Sequence, residues 1–375
     1  MAASDDRSRN LFASVESDAF AEMIRVERYQ TRTDAFDAII AETHRHFWDP
    51  LDPAYIDLAM PFDLDERTIL PLEVVPELQS AVADRLTPQQ RNDLANASAR
   101  WWLSSVLHGE QGALSLSAHL CQLLSNPGTV EYAANQAREE ARHVTAFSRY
   151  IAARWGTPLP ASSVFGGLLE DLVSTPDVGR KIVGMQILIE GLAMGIFAAL
   201  HSRSTDPVLT RLTQLVMVDE AFHHKAGKMW SEEALPKLSK EERASLEDWV
   251  CQVFQLLMFN LFHPQHKQHI YQSFGLDWQW VRDAMRETYS SDVRREQMTA
   301  ANGIFRPLIR SLFKSGLITE RTQALYSPWV RLSDLSSESD GVFGTAAVRD
   351  GLDFLAQVNA SRQQTRWRAV GTPSR

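Results

Sequence analysis

Two glutamates stand where a charged side chain is costly. From Trp101 to Leu124 the only formally charged residue is Glu110, and from Ile182 to Ser202 the only one is Glu190. A helix that is apolar nearly all round is a buried helix. A buried carboxylate with no counter-charge costs on the order of several kcal/mol, so each of these requires a cation or a proton. Thirty residues after each one comes a second glutamate, Glu140 or Glu220, set three residues before a histidine, His143 or His223. Residues three apart on a helix lie about 60° apart around its axis, so carboxylate and imidazole leave from one face and can share a metal ion. A lone Glu-x-x-His is common on solvated helices. Two of them, each trailing an isolated apolar-flanked glutamate by the same offset, form a specific pattern. The competing reading, chance Glu/His pairs on a wet surface, conflicts with the apolar settings of Glu110 and Glu190.

The elements that must position these residues are helices. Apolar side chains recur at three and four throughout, and no alternating strand pattern occurs. Four long helices are predicted over 88–125, 129–155, 176–203 and 206–234, the first about 57 Å long and the others about 40–44 Å. Their boundaries are set by Asn126-Pro127-Gly128, Gly156 to Pro160, Ser174-Thr175-Pro176, Thr205-Asp206-Pro207 and Pro236. Thirty residues is half a helix, a short turn and half an antiparallel helix, so Glu110 and Glu140 return to one height, as do Glu190 and Glu220. Further helices are predicted near 17–29 and 33–47, ahead of a Pro-rich stretch from Asp49 to Pro76. Others follow near 240–262, where Ser239 and Glu242 make a capping box, and near 276–290 and 293–315. The expected organisation is an N-terminal helical and Pro-rich extension (1–87), a four-helix core (88–235), C-terminal helices packed on it (236–361) and a mobile basic tail (362–375) holding Arg362, Arg366, Arg368 and Arg375.

A glutamate from each of two helices, with Glu-x-x-His from each of the other two, is the ligand set of two-metal helical bundles. Over residues 90–235 the chain resembles the ferritin-like di-iron carboxylate superfamily. That superfamily includes bacterial multicomponent monooxygenases, acyl-carrier-protein desaturases, arylamine N-oxygenases and the small subunit of ribonucleotide reductase. Glu139-Glu140-Ala141-Arg142-His143 is close to the superfamily's acid-Glu-x-Arg-His form; the second motif carries Phe222 in place of the arginine. The resemblance implies an all-α, ferritin-like four-helix bundle with additional terminal helices. It implies that Glu110 and His143 bind one iron, Glu190 and His223 the other, and that Glu140 and Glu220 bridge them. Glu139 and Asp219, one residue before the bridging positions, are candidate supports for the imidazoles. Carboxylates with imidazoles suit two iron ions or a manganese–iron pair, and the absence of thiolates argues against a closed zinc site.

The resemblance further implies a dioxygen-dependent oxygenase or oxidase acting on a small organic substrate. Its branches are separated by single positions. Phe147 stands where the reductase subunit keeps a radical tyrosine, although Tyr150 lies nearby. Val216 stands where the N-oxygenases carry a third histidine, and Met194 where the hydroxylases place a threonine. Ala113, Leu114, Phe147, Met194 and Phe197 are expected to line an apolar cavity, which favours an apolar or aromatic substrate. A radical-generating or self-modifying oxidase and a non-enzymatic metal-binding protein remain as alternatives. No ferredoxin, flavin or nicotinamide motif occurs, so the electron donor is expected to be a separate ferredoxin or reductase.

The 375 residues carry a formal net charge of −9. That balance argues against nucleic acid as a partner and favours a cytoplasmic protein, with a homodimer compatible. Ile182 to Leu200 approaches the length of a membrane span, but Glu190 at its middle marks a core helix instead. Cys121 and Cys251 sit in apolar helical runs and read as buried free thiols. His108, His119 and His224 read as structural, His263, His266 and His269 as a polar helix start, and the tryptophans as core or interface aromatics.

Overall fold

The computed structural model describes residues 11–16, 18–289, 303–336 and 344–370, with side chains through 362. Among them all regular structure is helical, apart from one isolated bridge between Ser14 and Leu124. Ten helices matter here: α1 Asp37–Arg45, α2 Pro88–Leu123, α3 Pro127–Trp155, α4 Ser163–Ser174, α5 Val178–Arg203, α6 Pro207–Ala234, α7 Lys240–Phe262, α8 Trp278–Thr288, α9 Arg306–Lys314 and α10 Thr345–Val370.

The starts follow from the residues that precede them. Thr87 and Gln90 form a reciprocal capping box ahead of α2, with Pro88 in the first turn, where its missing N–H costs nothing. Asn126 caps α3 by accepting from the Gly128 N–H at 2.9 Å. Asp206 does the same for α6 at 2.9 Å and also accepts from the Tyr150 hydroxyl at 2.8 Å and Arg154 Nε at 2.7 Å. That buried network ties the end of α3 to the start of α6. Ser239 and Glu242 form the expected capping box of α7.

Helix α2 packs along α3, and α5 along α6, so each pair is a hairpin; α3 meets α6 and the middle of α5 meets α2. Around these four, α1 touches α3 and α6, α9 lies on α5 and α10 lies on α6. Gly195 on α5 permits a close approach, because a Cβ there would meet the Ile304 carbonyl oxygen at 2.0 Å. Helix α5 is the one described helix long and apolar enough to cross a membrane, and 78% of its apolar window is buried inside the protein. It is not uniform: Val183–Ile189 is a π-helical turn that ends at Glu190. Such wide turns often sit at functional positions.

Several outer elements differ from the sequence reading. The helix expected over 17–29 is two single turns, Phe20–Met23 and Val26–Tyr29. Phe20 and Val26 stay about 70% exposed, so no packed apolar face extends those turns. The helix expected over 293–315 begins at Arg306, with Pro307 in its first turn; residues 290–302 lie outside the described residues. Helices α4 and α10 were not expected. Helix α10 runs to Val370 through the start of the predicted tail, and 371–375 lie outside the described residues. At the start of that stretch Arg362 is ion-paired with Asp52, and just before it Asn359 accepts from the Tyr55 hydroxyl at 2.6 Å while donating to the Phe47 carbonyl at 3.0 Å. Cys121 and Cys251 are free thiols, half-buried rather than buried.

Candidate metal centre

The two hairpins bring all six predicted ligands together. Two groups of donor atoms form, Glu110–Glu140–His143–Glu220 and Glu140–Glu190–Glu220–His223, each with its atoms within 4.8 Å of one another. Glu140 and Glu220 belong to both. None of the six residues is more than 6% exposed. His143 Nδ1 lies 3.2 Å from Glu110 Oε2, 3.3 Å from Glu140 Oε2 and 3.4 Å from Glu220 Oε1. His223 Nδ1 lies 3.1 Å from Glu140 Oε1, 3.2 Å from Glu220 Oε2 and 4.0 Å from Glu190 Oε1. Donors bound about 2.1 Å from a common ion at right angles sit about 3.0 Å apart, which matches most of these separations.

Electrostatics makes the same demand. Glu110, Glu139, Glu140, Glu190, Asp219 and Glu220 are all buried here, facing one guanidinium, Arg142, and two imidazoles. With neutral imidazoles, five negative charges are uncompensated; two divalent ions would remove four of them. In the metal-free chain, protons take the place of the ions. Burial pushes the Glu110 carboxyl up to about 8 and Glu190 well above the usual carboxylate range. Burial also opposes protonation of both histidines. Hydrogen bonds donated to Asp219 and Glu110 outweigh it at His143, and the Glu140 and Glu220 charges outweigh it at His223, so both imidazoles are held well above their ordinary pKa. Glu140 Oε2 is buried without a hydrogen bond, as an oxygen reserved for a metal would be.

Behind the imidazoles the two hairpins cross. His143 Nε2 donates to Asp219 at 2.9 Å, and His223 Nε2 donates to Glu139 at 3.0 Å, so each acid supports the histidine of the opposite hairpin. These contacts commit Nε2 to carrying a proton and leave Nδ1 facing the carboxylates. Asp219 also accepts from Arg142 at 2.7 Å and from Trp48 Nε1 at 2.8 Å. Although burial works against its charge, the Arg142 guanidinium and His143 hold the Asp219 carboxyl down to about 2. Asn135 donates to Glu139 at 3.3 Å.

The two donor groups are not equivalent. Gln136 Nε2 donates to Glu190 Oε1 at 2.7 Å and to Glu140 Oε1 at 3.2 Å. Gln186, on the π turn, is best oriented with its amide nitrogen 2.7 Å from Glu190 Oε2 and 2.9 Å from the His223 carbonyl oxygen. Both amides therefore serve the Glu190 side. Each glutamine precedes a glutamate of the cluster by four residues, Gln136 before Glu140 and Gln186 before Glu190, a repeat legible in the sequence. Trp48 gave no local signal, since it reaches Asp219 across 171 residues of chain.

An apolar cavity of about 60 Å³ adjoins the carboxylates, walled by α2, α4, α5 and α7. Ala113 and Phe197 line it as expected; Leu114, Phe147 and Met194 do not. The reason is rotational. The cavity lies on the flank of α2 and α5 reached three residues after Glu110 and Glu190, at Ala113 and Ala193. Residues four later turn about 40° the other way. Met194 accordingly faces an outer pocket with Ile187 and Gly191, and Phe147 stacks behind Phe197 at 5.7 Å. Three other histidines are engaged away from the centre: His108 with the Leu159 carbonyl at 2.8 Å, His119 with that of Val173 at 2.7 Å, His224 with Ser311 Oγ at 3.0 Å. His263 and His266 pack on Phe259. The Tyr150 hydroxyl is committed to Asp206. No family model, no curated protein and no solved structure matches this chain.

Proposed function

We propose that this chain is a dioxygen-activating di-iron oxygenase or oxidase of the ferritin-like carboxylate type, acting in the cytoplasm on a small, apolar organic substrate. One observation carries the reading: two buried groups of carboxylate and imidazole donors share Glu140 and Glu220 and border an apolar cavity. The hairpin packing of α2 with α3 and α5 with α6 supports the ferritin-like bundle. Glu110 and His143 would hold one ion, Glu190 and His223 the other, with Glu140 and Glu220 between them. When bound, two iron ions supply the electrons and Lewis acidity that dioxygen activation needs. The protein's own residues do the rest. Asp219 and Glu139 fix the imidazole tautomers through Nε2. Trp48 and Arg142 hold Asp219. The apolar walls admit an uncharged substrate and exclude water from the reacting face. The reductant is a separate protein.

The test is anaerobic loading with ferrous iron, followed by metal analysis, absorption spectroscopy on exposure to oxygen, and oxygen uptake with a chemical reductant. Two irons per chain, a transient absorption change and reductant-dependent uptake are expected, all lost in Glu140→Ala and His223→Ala. Normal uptake in those variants overturns the assignment. Two bound irons without any oxygen consumption would identify a metal-binding protein instead.

A further inference from the structure

The cavity holds one uncharged side-chain amide. Asn260, near the end of α7, lines it and is only 3% exposed. Its orientation is set from behind. The Ser162 hydroxyl caps α4 by accepting from the Phe165 N–H at 3.1 Å, which leaves its proton to donate to Asn260 Oδ1. The reverse amide orientation would leave that proton without an acceptor. The Asn260 amide nitrogen makes no hydrogen bond to any described residue, in a cavity whose exposed surface is otherwise almost wholly apolar. Ser105, the nearest alternative, spends its hydroxyl on the Trp101 carbonyl at 3.1 Å. An amide N–H₂ without a described partner, on a cavity-lining residue only 3% exposed, is a donor lacking an acceptor, and a ligand oxygen would supply one.

We propose that Asn260 is the polar anchor of the substrate site, and that the substrate is a small neutral molecule with an apolar body and one hydrogen-bond-accepting oxygen, such as a ketone, ether or alcohol. The inference rests on the cavity being the substrate site of the proposed oxygenase. Charge narrows the class. None of the lining residues is lysine, arginine or histidine, so an anionic substrate finds no counter-ion on the cavity wall. Size narrows it again. At about 10–15 Å³ per water-sized group, about 60 Å³ admits about five heavy atoms, and an aromatic ring would have to displace a wall such as Phe165 or Leu257. Anchored at Asn260 on α7, the apolar body of such a molecule extends toward the carboxylates on α2, α3, α5 and α6.

The test is equilibrium binding to the full metal-free chain, with butan-2-one, its alkene isostere 2-methylbut-1-ene, and butyrate as probes. The wild type binds the ketone and not butyrate. Asn260→Leu and Asn260→Asp each weaken ketone binding about tenfold, as loss of one buried hydrogen bond predicts, while Asn260→Leu leaves the alkene within about twofold. Equal ketone affinity in all three proteins, or butyrate bound as well as the ketone, overturns the proposal. Should the variants unfold, the infrared carbonyl stretch of ¹³C-labelled butan-2-one bound to the wild type decides: a frequency below that in hexane supports the anchor, and a hexane-like frequency overturns it. Iron content and oxygen uptake of Asn260→Leu are measured alongside. Asn260-dependent ketone binding without oxygen uptake sinks the oxygenase reading alone. Oxygen uptake with ketone binding indifferent to Asn260 sinks the anchor alone.

Discussion

Metal loading should depend steeply on pH between 6 and 8, because the metal-free centre stores protons that the ions must displace. Burial lifts Glu110 to about 8 and Glu190 well above the usual range, and both ligand histidines are held protonated by the carboxylates around them. Each must lose its proton to bind a metal. For Glu110 alone the ionised fraction falls from about a half at pH 8 to about a hundredth at pH 6. The apparent affinity of its ion then drops roughly fiftyfold, about 2.3 kcal/mol. The sign for stability is opposite. The folded pKa of Glu110 lies above its unfolded value, so its favourable contribution to the metal-free fold is complete below about pH 4.5 and is lost as pH rises through about 8. The rise in melting temperature caused by metal should therefore widen with pH. Anaerobic calorimetry with ferrous iron, in two buffers of different ionisation enthalpy, counts the protons released. At least one per chain is expected at pH 7, and Glu110→Gln should release about one fewer. Loading that releases no protons and keeps a constant affinity from pH 6 to 8 would refute the stored-proton account.

Three further outcomes follow from the same geometry. Glu140→Ala should lower metal content from two ions to fewer than one, because Glu140 belongs to both donor groups, whereas Glu110→Ala should retain one; metal analysis of the purified variants separates the two. Asp219→Asn should cost roughly 1.5–3 kcal/mol by removing the charge-assisted hydrogen bonds from Arg142 and His143, with Arg142 keeping Glu139 at 3.7 Å, seen as a lower melting temperature and altered tryptophan fluorescence from Trp48. Gly227→Ala should weaken metal binding several-fold and lower the melting temperature, since its new Cβ would meet the Gln186 Cβ at 2.7 Å and push the π turn that ends at Glu190.

The core was legible because its signals are local and repeated. The α2, α3, α5 and α6 boundaries fall within about two residues of those read from Pro, Gly and capping residues, since helix ends are decided by near neighbours. The six ligands were legible because a buried glutamate in an apolar helix is unusual by itself, and the offset of thirty then paired the helices. What failed was decided at long range or by rotation. Trp48 meets Asp219 only after the N-terminal segment folds across α3 and α6. Helix α4 is short, with no charge run or repeat to announce it, yet it supplies Phe165 to the cavity. Met194 and Leu114 were placed beside the site on spacing alone, and a 40° turn sent them away from the cavity.

The crossed contacts explain why two similar hairpins act as one unit. Had Asp219 supported His223 and Glu139 supported His143, each hairpin would carry its own imidazole and its own acid, and could hold its geometry alone. Instead each imidazole is oriented by an acid on the other hairpin, and each bridging glutamate approaches both imidazoles. Loss of alignment between α3 and α6 therefore disturbs both donor groups together. That is why the alignment is braced outside the centre: Tyr150 and Arg154 of α3 hold Asp206 at the head of α6, and Trp48 and Arg142 hold Asp219 further along it. The glutamine pair breaks the symmetry that remains. Gln136 comes from α3 and Gln186 from the π turn of α5, so the Glu190 carboxylate is fixed by both hairpins, whereas Glu110, among the described residues, is hydrogen-bonded only to His143; both carboxylates border the cavity. Glu110 is thus the less restrained of the two carboxylates, and in the proposed two-metal centre it would be the ligand freer to move.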